Sequence, residues 1–411
     1  MSVGPEIIPE FAPTPPAHSV ALCLSGGGYR SALFHLGALR RLNEVGALSR
    51  VNLISSVSGG SILAGHLVAH LQPWPEPGQS FARWQDIEDR FLTFVKRNIR
   101  NWPVQKRFLF PWNWFRPSTQ VWALEAEYER WLTPGLKLTQ LPDSPEFVFC
   151  ATDMVNGVSW VFEKSRVGSY RADYLKPAPD WPLARAVAAS SCFPPVFDPM
   201  PIRAPDGIKP AGFSGMSLSD GGLYDNMGLQ PAERSKTVLV SDGGAPFIAT
   251  VPHGLFGRLK AYLSVMGKQA GALRKRYLMA QFDKAEKTGT YWGIDSAPEK
   301  YVDDLRPDEQ NPPPVGYSKI LAMSRIASIR TDLDPFSDAE IAVLKNHGYC
   351  LADVALRAHA PFLICHPEPF AVPHPDWMAE DKVNDALRYS NKRFRLVRWF
   401  FRVVHRLTGW F

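Results

Sequence analysis

The stretch ISSVSGGSILAGHL, Ile54 to Leu67, places four serines within eight residues, between an apolar run and a segment of helical spacing. It is the second of two similar units. Upstream, SVALCL (19–24) is short, apolar and β-rich; three glycines follow, then SALFHLGALRRLNEVG, whose helical spacing stops at Gly46. VNLISS (51–56) repeats the strand. In SGGSILAGHLVAHL, Ile62, Leu63, Leu67, Val68 and Leu71 recur at helical intervals. Strand, turn and helix twice in succession predict an α/β fold, a three-layer sandwich with a central, mostly parallel sheet. Functional groups of such a sheet collect at the carboxyl ends of its strands, so both glycine-rich turns share one rim.

The rhythm breaks over about 72–142, where helical segments flank the aromatic, proline-interrupted RFLFPWNWFRP (107–117), and this region reads as a cap-like insertion. Alternation resumes with EFVFCAT and SWVFEKS as strands, PLARAVAASSCF as a helix, then MSLSD and TVLVSD, giving at least six strands. Beyond Ala245 the chain reads as mostly helical, with a basic helix near Leu255 to Phe282 and a capping box, Ser337 with Glu340, opening another. The expected division is a loose arm (1–17), a catalytic domain (18–250), a mostly helical extension packed on the core (251–390) and a basic tail helix (391–411).

The 411 residues include five scattered cysteines without CxxC spacing, which excludes a disulfide framework or a thiolate metal site and fits a reducing, cytoplasmic setting. The first residues lack a basic segment followed by an apolar run, so no secretory leader is read there, and no window is apolar enough to span a membrane. The formal net charge is +6. Residues 392–411 carry six cations and no acid, so everything before them is neutral in sum. A charge excess at one end points to an anionic partner there.

A strand ending in a small-x-Ser-x-Gly turn that runs into a helix is a nucleophile elbow, and Ser56-Val57-Ser58-Gly59-Gly60 fits it with Ser58 central. Read otherwise, Ser58 caps the helix. Ser56 departs from the usual first glycine. Gly26, Gly27 and Gly28 can present several backbone N–H groups to one anion. A dinucleotide site would want glycine at Ser31 and an acid after the next strand, and a phosphate-binding P-loop a Gly-Lys-Ser/Thr ending; an oxyanion hole needs only free N–H groups on the nucleophile's rim. Arg30 is placed either to fix the loop or to bind a phosphate. None of the ten histidines has a supporting pattern for a base. Asp220 and Asp242 each sit at a strand end before paired glycines, which suggests a serine–aspartate dyad.

Taken together, Gly26 to Arg30, the elbow Ser56 to Gly60, Asp220-Gly221-Gly222 followed by Asn226, ATDMVNG (151–157) and AVAASSCFPPVF (186–197) resemble the patatin-like phospholipase family, in its order, from about Val20 to Ala245. Weaker similarity continues to GYCLAD. The resemblance implies an acyl-hydrolase α/β fold, no metal and no cofactor. It implies Ser58 as nucleophile, Asp220 as base and the loop N–H groups as oxyanion hole, with Gly60, Gly221, Gly222 and Asn226 as motif positions. Asp220 is preferred over Asp242 because only it is continued by Asn226.

The implied function is a lipid acyl hydrolase of phospholipase A type acting on phospholipid or other lipid esters. A soluble esterase or thioesterase with the same dyad and a silent lipid-binding regulator are the alternatives. No nucleic acid is expected as a partner. Residues 107–117 mix Trp, Phe and Arg, and 392–411 alternate cations with Leu396, Trp399, Phe400, Val403 and Leu407 at helical spacing, so both are expected at an anionic membrane surface.

Overall fold

The computed structural model describes residues 19–391 except 110–111, 113–117, 195, 203–212, 214, 245, 247–253, 310–312 and 367. The tail 392–411 and residues 110–111 and 113–117 of the aromatic segment, both expected at a membrane, therefore lie outside the described residues. β1 (Val20–Leu24) leads through the glycine turn into α1 (Gly28–Glu44), and β2 (Leu53–Val57) through the serine turn into α2 (Gly59–His70). Gly46, at φ 73°, takes the left-handed conformation that stops α1. Within 72–142 lie α3 (Trp84–Val95), α4 (Asn101–Leu109) and α5 (Thr119–Trp131).

β3 (Glu146–Asp153) opens an antiparallel meander with β4 (Val158–Phe162), β5 (Val167–Ser169) and β6 (Asp173–Leu175). Next come α6 (Leu183–Ser191), β7 (Met200–Pro201), β8 (Ser217–Asp220), α7 (Gly222–Asp225) and β9 (Thr237–Asp242). α8 (Gly254–Asp283), β10 (Thr288–Gly293), α9 (Lys319–Leu321), α10 (Asp338–His359) and α11 (Glu380–Leu387) complete the described chain. The Ser337–Glu340 capping box opens α10 as its sequence predicts.

The strands form one sheet, ordered β10-β9-β1-β2-β3-β4-β5-β6, with β8 on β3 and β7 on β8. From β10 to β3 the pairs are parallel. The region beyond Ala245 is thus less purely helical than its sequence suggests, because β10 extends the same sheet. Two glycines in TGTYWG dilute its strand signal, and pairing with β9 overrides them. Alternation along β1 divides the core. Leu22 and Leu24 face the large cluster shared with α1, α2 and α10, whereas Ala21 and Cys23 face Leu278, Met279 and Phe282 of α8. Helices therefore cover both faces. α1 and α10 touch backbone to backbone, since a Cβ at Gly348 would collide with the Phe34 carbonyl and one at Gly37 with that of Lys345.

One feature of register positions the chemistry. β3 is paired along one edge by β4, and its other edge is shared: β2 holds it up to Val57↔Cys150, and β8, running the opposite way, holds it from Asp153↔Leu218 to Ala151↔Asp220. The ends of β2 and β8 therefore meet head to head. Ser58 leaves one strand where Asp220 closes the other.

Candidate active site

Ser58 sits between β2 and α2 with φ 51° and ψ −114°, a conformation that a non-glycine residue keeps only when its surroundings impose it. It is buried and makes no side-chain cap to α2, so the capping alternative is not what the structure shows. Its N–H donates to Ser190 Oγ at 2.9 Å, and its carbonyl accepts from Ile62 at 3.0 Å. The turn is tight enough that a Cβ at Gly59 would strike the Gly28 carbonyl, which puts the serine turn directly against the glycine turn. Gly60 donates to the Ser25 carbonyl at 3.2 Å and closes the same contact. Ser56 fits its position: its hydroxyl donates to the Val148 carbonyl at 3.1 Å, and Ser61 Oγ lies 3.0 Å from it.

Asp220 is fully buried, and burial pushes its pKa up to about 6; the Ser58 hydroxyl and the Gly222 N–H pull it back as hydrogen-bond donors. The Ser58 contact is looser than a well-formed hydrogen bond. Oδ1 receives the Gly222 N–H at 2.7 Å, while buried Oδ2 has no partner of good hydrogen-bond geometry among the described residues. Hydrogen bonds between catalytic groups are often long without substrate and tighten around it. The Asp220 carbonyl is held by Thr152 Oγ1 at 2.8 Å, and Gly221 donates to the Ser190 carbonyl at 3.2 Å.

In the glycine turn, Gly27 and Gly28 have φ 147° and 59°, and no hydrogen-bond partner is found for either N–H among the described residues. Gly26 differs from its expected role. Its N–H is already given to the Asn226 carbonyl at 2.9 Å, and a Cβ there would press on Asn226 Oδ1 and Ser58 Cβ. Asn226 thus buttresses the loop through its backbone, with its side chain lodged against Gly26 and Gly222.

Arg30 resolves toward fixing the loop rather than supporting a phosphate. Its buried guanidinium donates to the carbonyls of Gly243 (3.2 and 3.0 Å), Ala327 (3.2 Å) and Ile329 (2.8 Å), and burial lowers its pKa to about 10. A guanidinium committed to four bonds with the backbone ties the glycine turn to the turn after β9 and has little left for a ligand. Asp242 occupies that second turn, accepting from Gly244 N–H at 2.9 Å and Tyr291 hydroxyl at 2.8 Å. It closes a strand end, as read from its sequence. No histidine hydrogen-bonds Ser58 among the described residues. His35 is buried between Ser241 Oγ (2.7 Å) and the Ser25 carbonyl (2.9 Å), and burial lowers its pKa to about 4.

Sequence reasoning missed Ser190. Its hydroxyl accepts from Ser58 N–H, donates to the Cys150 carbonyl at 2.6 Å and lies 2.8 Å from Ser61 Oγ, while its carbonyl accepts from Gly221. One residue of α6 therefore holds both the serine turn and the aspartate turn. The segment AVAASSCFPPVF was singled out whole, but nothing in it distinguishes Ser190 from Ser191.

A helix-covered, mostly parallel sheet with a strained serine at a strand-to-helix turn is a mixed α/β architecture with the backbone of an elbow at the end of β2. The family model described as patatin-like phospholipase matches residues 22–233, over half of the chain, and the chain belongs to that family. Membership supports a lipid hydrolase. No curated protein matches the sequence. Among solved structures, human GIVD cytosolic phospholipase A2 is similar at 10% identity and TM-score 0.45, over 91% of this chain and 63% of that one. VipD from Legionella pneumophila is similar at 15% identity and TM-score 0.36, over 84% and 68%. The chain thus spans less than two thirds of the human protein's length, and the family assignment rests on the family model.

Proposed function

We propose that the protein is a lipid acyl hydrolase of phospholipase A type that works through a Ser58–Asp220 dyad. The observation that carries this reading is the head-to-head meeting of β2 and β8, which brings a strained serine against a buried carboxylate. With its pKa raised to about 6, Asp220 is ionised at neutral pH yet far more basic than an exposed aspartate, as a base toward a hydroxyl needs to be.

Asp220 takes the Ser58 proton as Oγ attacks the ester carbonyl, and the developing oxyanion is met by the N–H groups of Gly27 and Gly28 at the start of α1, where the helix dipole adds to them. The tetrahedral species collapses to an acyl-enzyme, and the leaving alcohol carries away the proton held on Asp220. Water, deprotonated by Asp220, then releases the fatty acid and restores the Ser58 hydroxyl. The described side chains hold no cluster of metal-ligating groups, and the steps above route through none.

A fluorophosphonate probe applied to wild type, Ser58→Ala and Asp220→Ala tests the dyad, alongside fatty-acid release from phospholipid vesicles. Labelling should require Ser58 and slow by about a hundredfold or more without Asp220. Labelling of Asp220→Ala at the wild-type rate would remove Asp220 as the base. Hydrolysis of short soluble esters or thioesters, with none of vesicle phospholipid, would make the enzyme a soluble esterase.

A further inference from the structure

α8 is a 30-residue helix, and among its described side chains those that pack into the apolar core are Leu278, Met279 and Phe282, near its carboxyl end. Upstream, it presents large apolar side chains to solvent: Tyr262, Met266, Leu273 and Tyr277 are 59–69% exposed and Val265 is 42% exposed. Scattered exposed apolar residues need no explanation, but these five do not scatter. At 3.6 residues per turn they fall within about 120° of the helix circumference and run for about 22 Å.

The charge of the helix narrows what could cover this stripe. α8 carries six cations and a single acid, Asp283, a net charge of +5. Three of the cations turn inward. Arg274 lies 3.9 Å from Asp225 and over the Tyr224 ring, Lys275 lies over the Tyr291 ring, and Lys268 is partly buried near Asp242. Arg258 and Arg276 are exposed and sit at one margin of the apolar arc. An apolar arc edged by arginines, on a helix without acids for 29 residues, is the composition of a helix that lies in an anionic bilayer surface.

The placement agrees with that occupant. Arg274 binds α7, which begins two residues after Asp220, and Leu223 of α7 is itself 40% exposed. Met154 and Val155, past the carboxyl end of β3 on the same rim, are also exposed. The basic tail, at +6, would be repelled by a helix of the same sign.

We propose that the outward face of α8 docks the protein on an anionic lipid surface, with Tyr262, Val265, Met266, Leu273 and Tyr277 entering the interface and Arg258 and Arg276 meeting headgroups. The proposal rests on the lipid-hydrolase reading for its biological sense, but its test does not depend on catalysis. The full chain carrying Met266→Glu and Leu273→Glu, both exposed positions, is compared with wild type in sedimentation with phosphatidylglycerol-containing and pure phosphatidylcholine vesicles. Affinity for the anionic vesicles should fall by about tenfold or more, with vesicle hydrolysis falling in parallel and hydrolysis of a soluble short-chain ester unchanged.

A second measurement reads the site directly. Met266→Cys in a Cys365→Ser background, labelled with an environment-sensitive fluorophore, should shift to the blue on addition of anionic vesicles. Unchanged affinity of the double glutamate variant together with no spectral shift overturns the proposal. So does a wild-type dimer that the double variant breaks while vesicle binding stays intact, since the face then belongs to a second copy. A spectral shift with no ester hydrolysis by wild type would overturn the proposed catalysis and leave the docking face standing.

Discussion

Replacing Asp220 by asparagine should cut turnover steeply and, at neutral pH, make the protein more stable. Burial raises the Asp220 pKa from 3.8 to about 6. The folded protein therefore holds this proton more tightly than the unfolded chain does, and stability falls as pH rises between those two values. At about 1.4 kcal/mol per pH unit, the ionised carboxylate costs the fold about 3 kcal/mol at pH 7. Asparagine keeps an acceptor for the Gly222 N–H and carries no charge to desolvate. The variant should match wild type near pH 4 and exceed it by up to about 3 kcal/mol at pH 7.5, read from urea denaturation at the two pH values. Its fluorophosphonate labelling and ester hydrolysis should fall by about 10²- to 10⁴-fold. For wild type, kcat/KM on a soluble ester should drop tenfold per pH unit on the acid side and level off above an apparent pKa near 6. A profile flat through pH 6, or a variant less stable than wild type at pH 7.5, would refute the reasoning.

Ser190→Ala deletes the acceptor of the Ser58 N–H and the donor to the Cys150 carbonyl, both buried. It should cost about 1–3 kcal/mol in denaturant unfolding and lower kcat with KM little changed, because the nucleophile loses its orientation rather than the substrate its contacts. Gly348→Ala forces α10 away from α1 at a backbone contact that cannot yield cheaply. Thermal unfolding should show a loss at or above the usual 1–3 kcal/mol of overpacking, with probe labelling per folded molecule unchanged.

The main lines of the fold and the three turns that meet at the candidate site were legible in the sequence because each answers to a narrow backbone demand. A serine at φ 51° between strand and helix needs small neighbours, and glycines at φ 147° and 59° have few substitutes. What was not legible depends on partners distant in the chain. Nothing local says that Arg30 reaches carbonyls some 300 residues away, or that Ser190, and not Ser191, takes the Ser58 N–H. Gly26 read as an anion donor because spacing cannot reveal that the Asn226 carbonyl already claims its N–H. β10 was missed for a related reason, since its strand character comes from β9 and not from its own residues.

The sharing of one β3 edge by two opposed strands has a consequence for when activity arises. Ser58 and Asp220, the proposed nucleophile and base, lie 162 positions apart along the chain and become neighbours only when a strand from each side has registered on β3. Such non-local pairing carries a loop-closure cost that must be met before its contacts offset it, and it slows folding. If the proposed dyad does the chemistry, a chain lacking either half has no working site, and lipolysis becomes a direct gauge of the finished molecule.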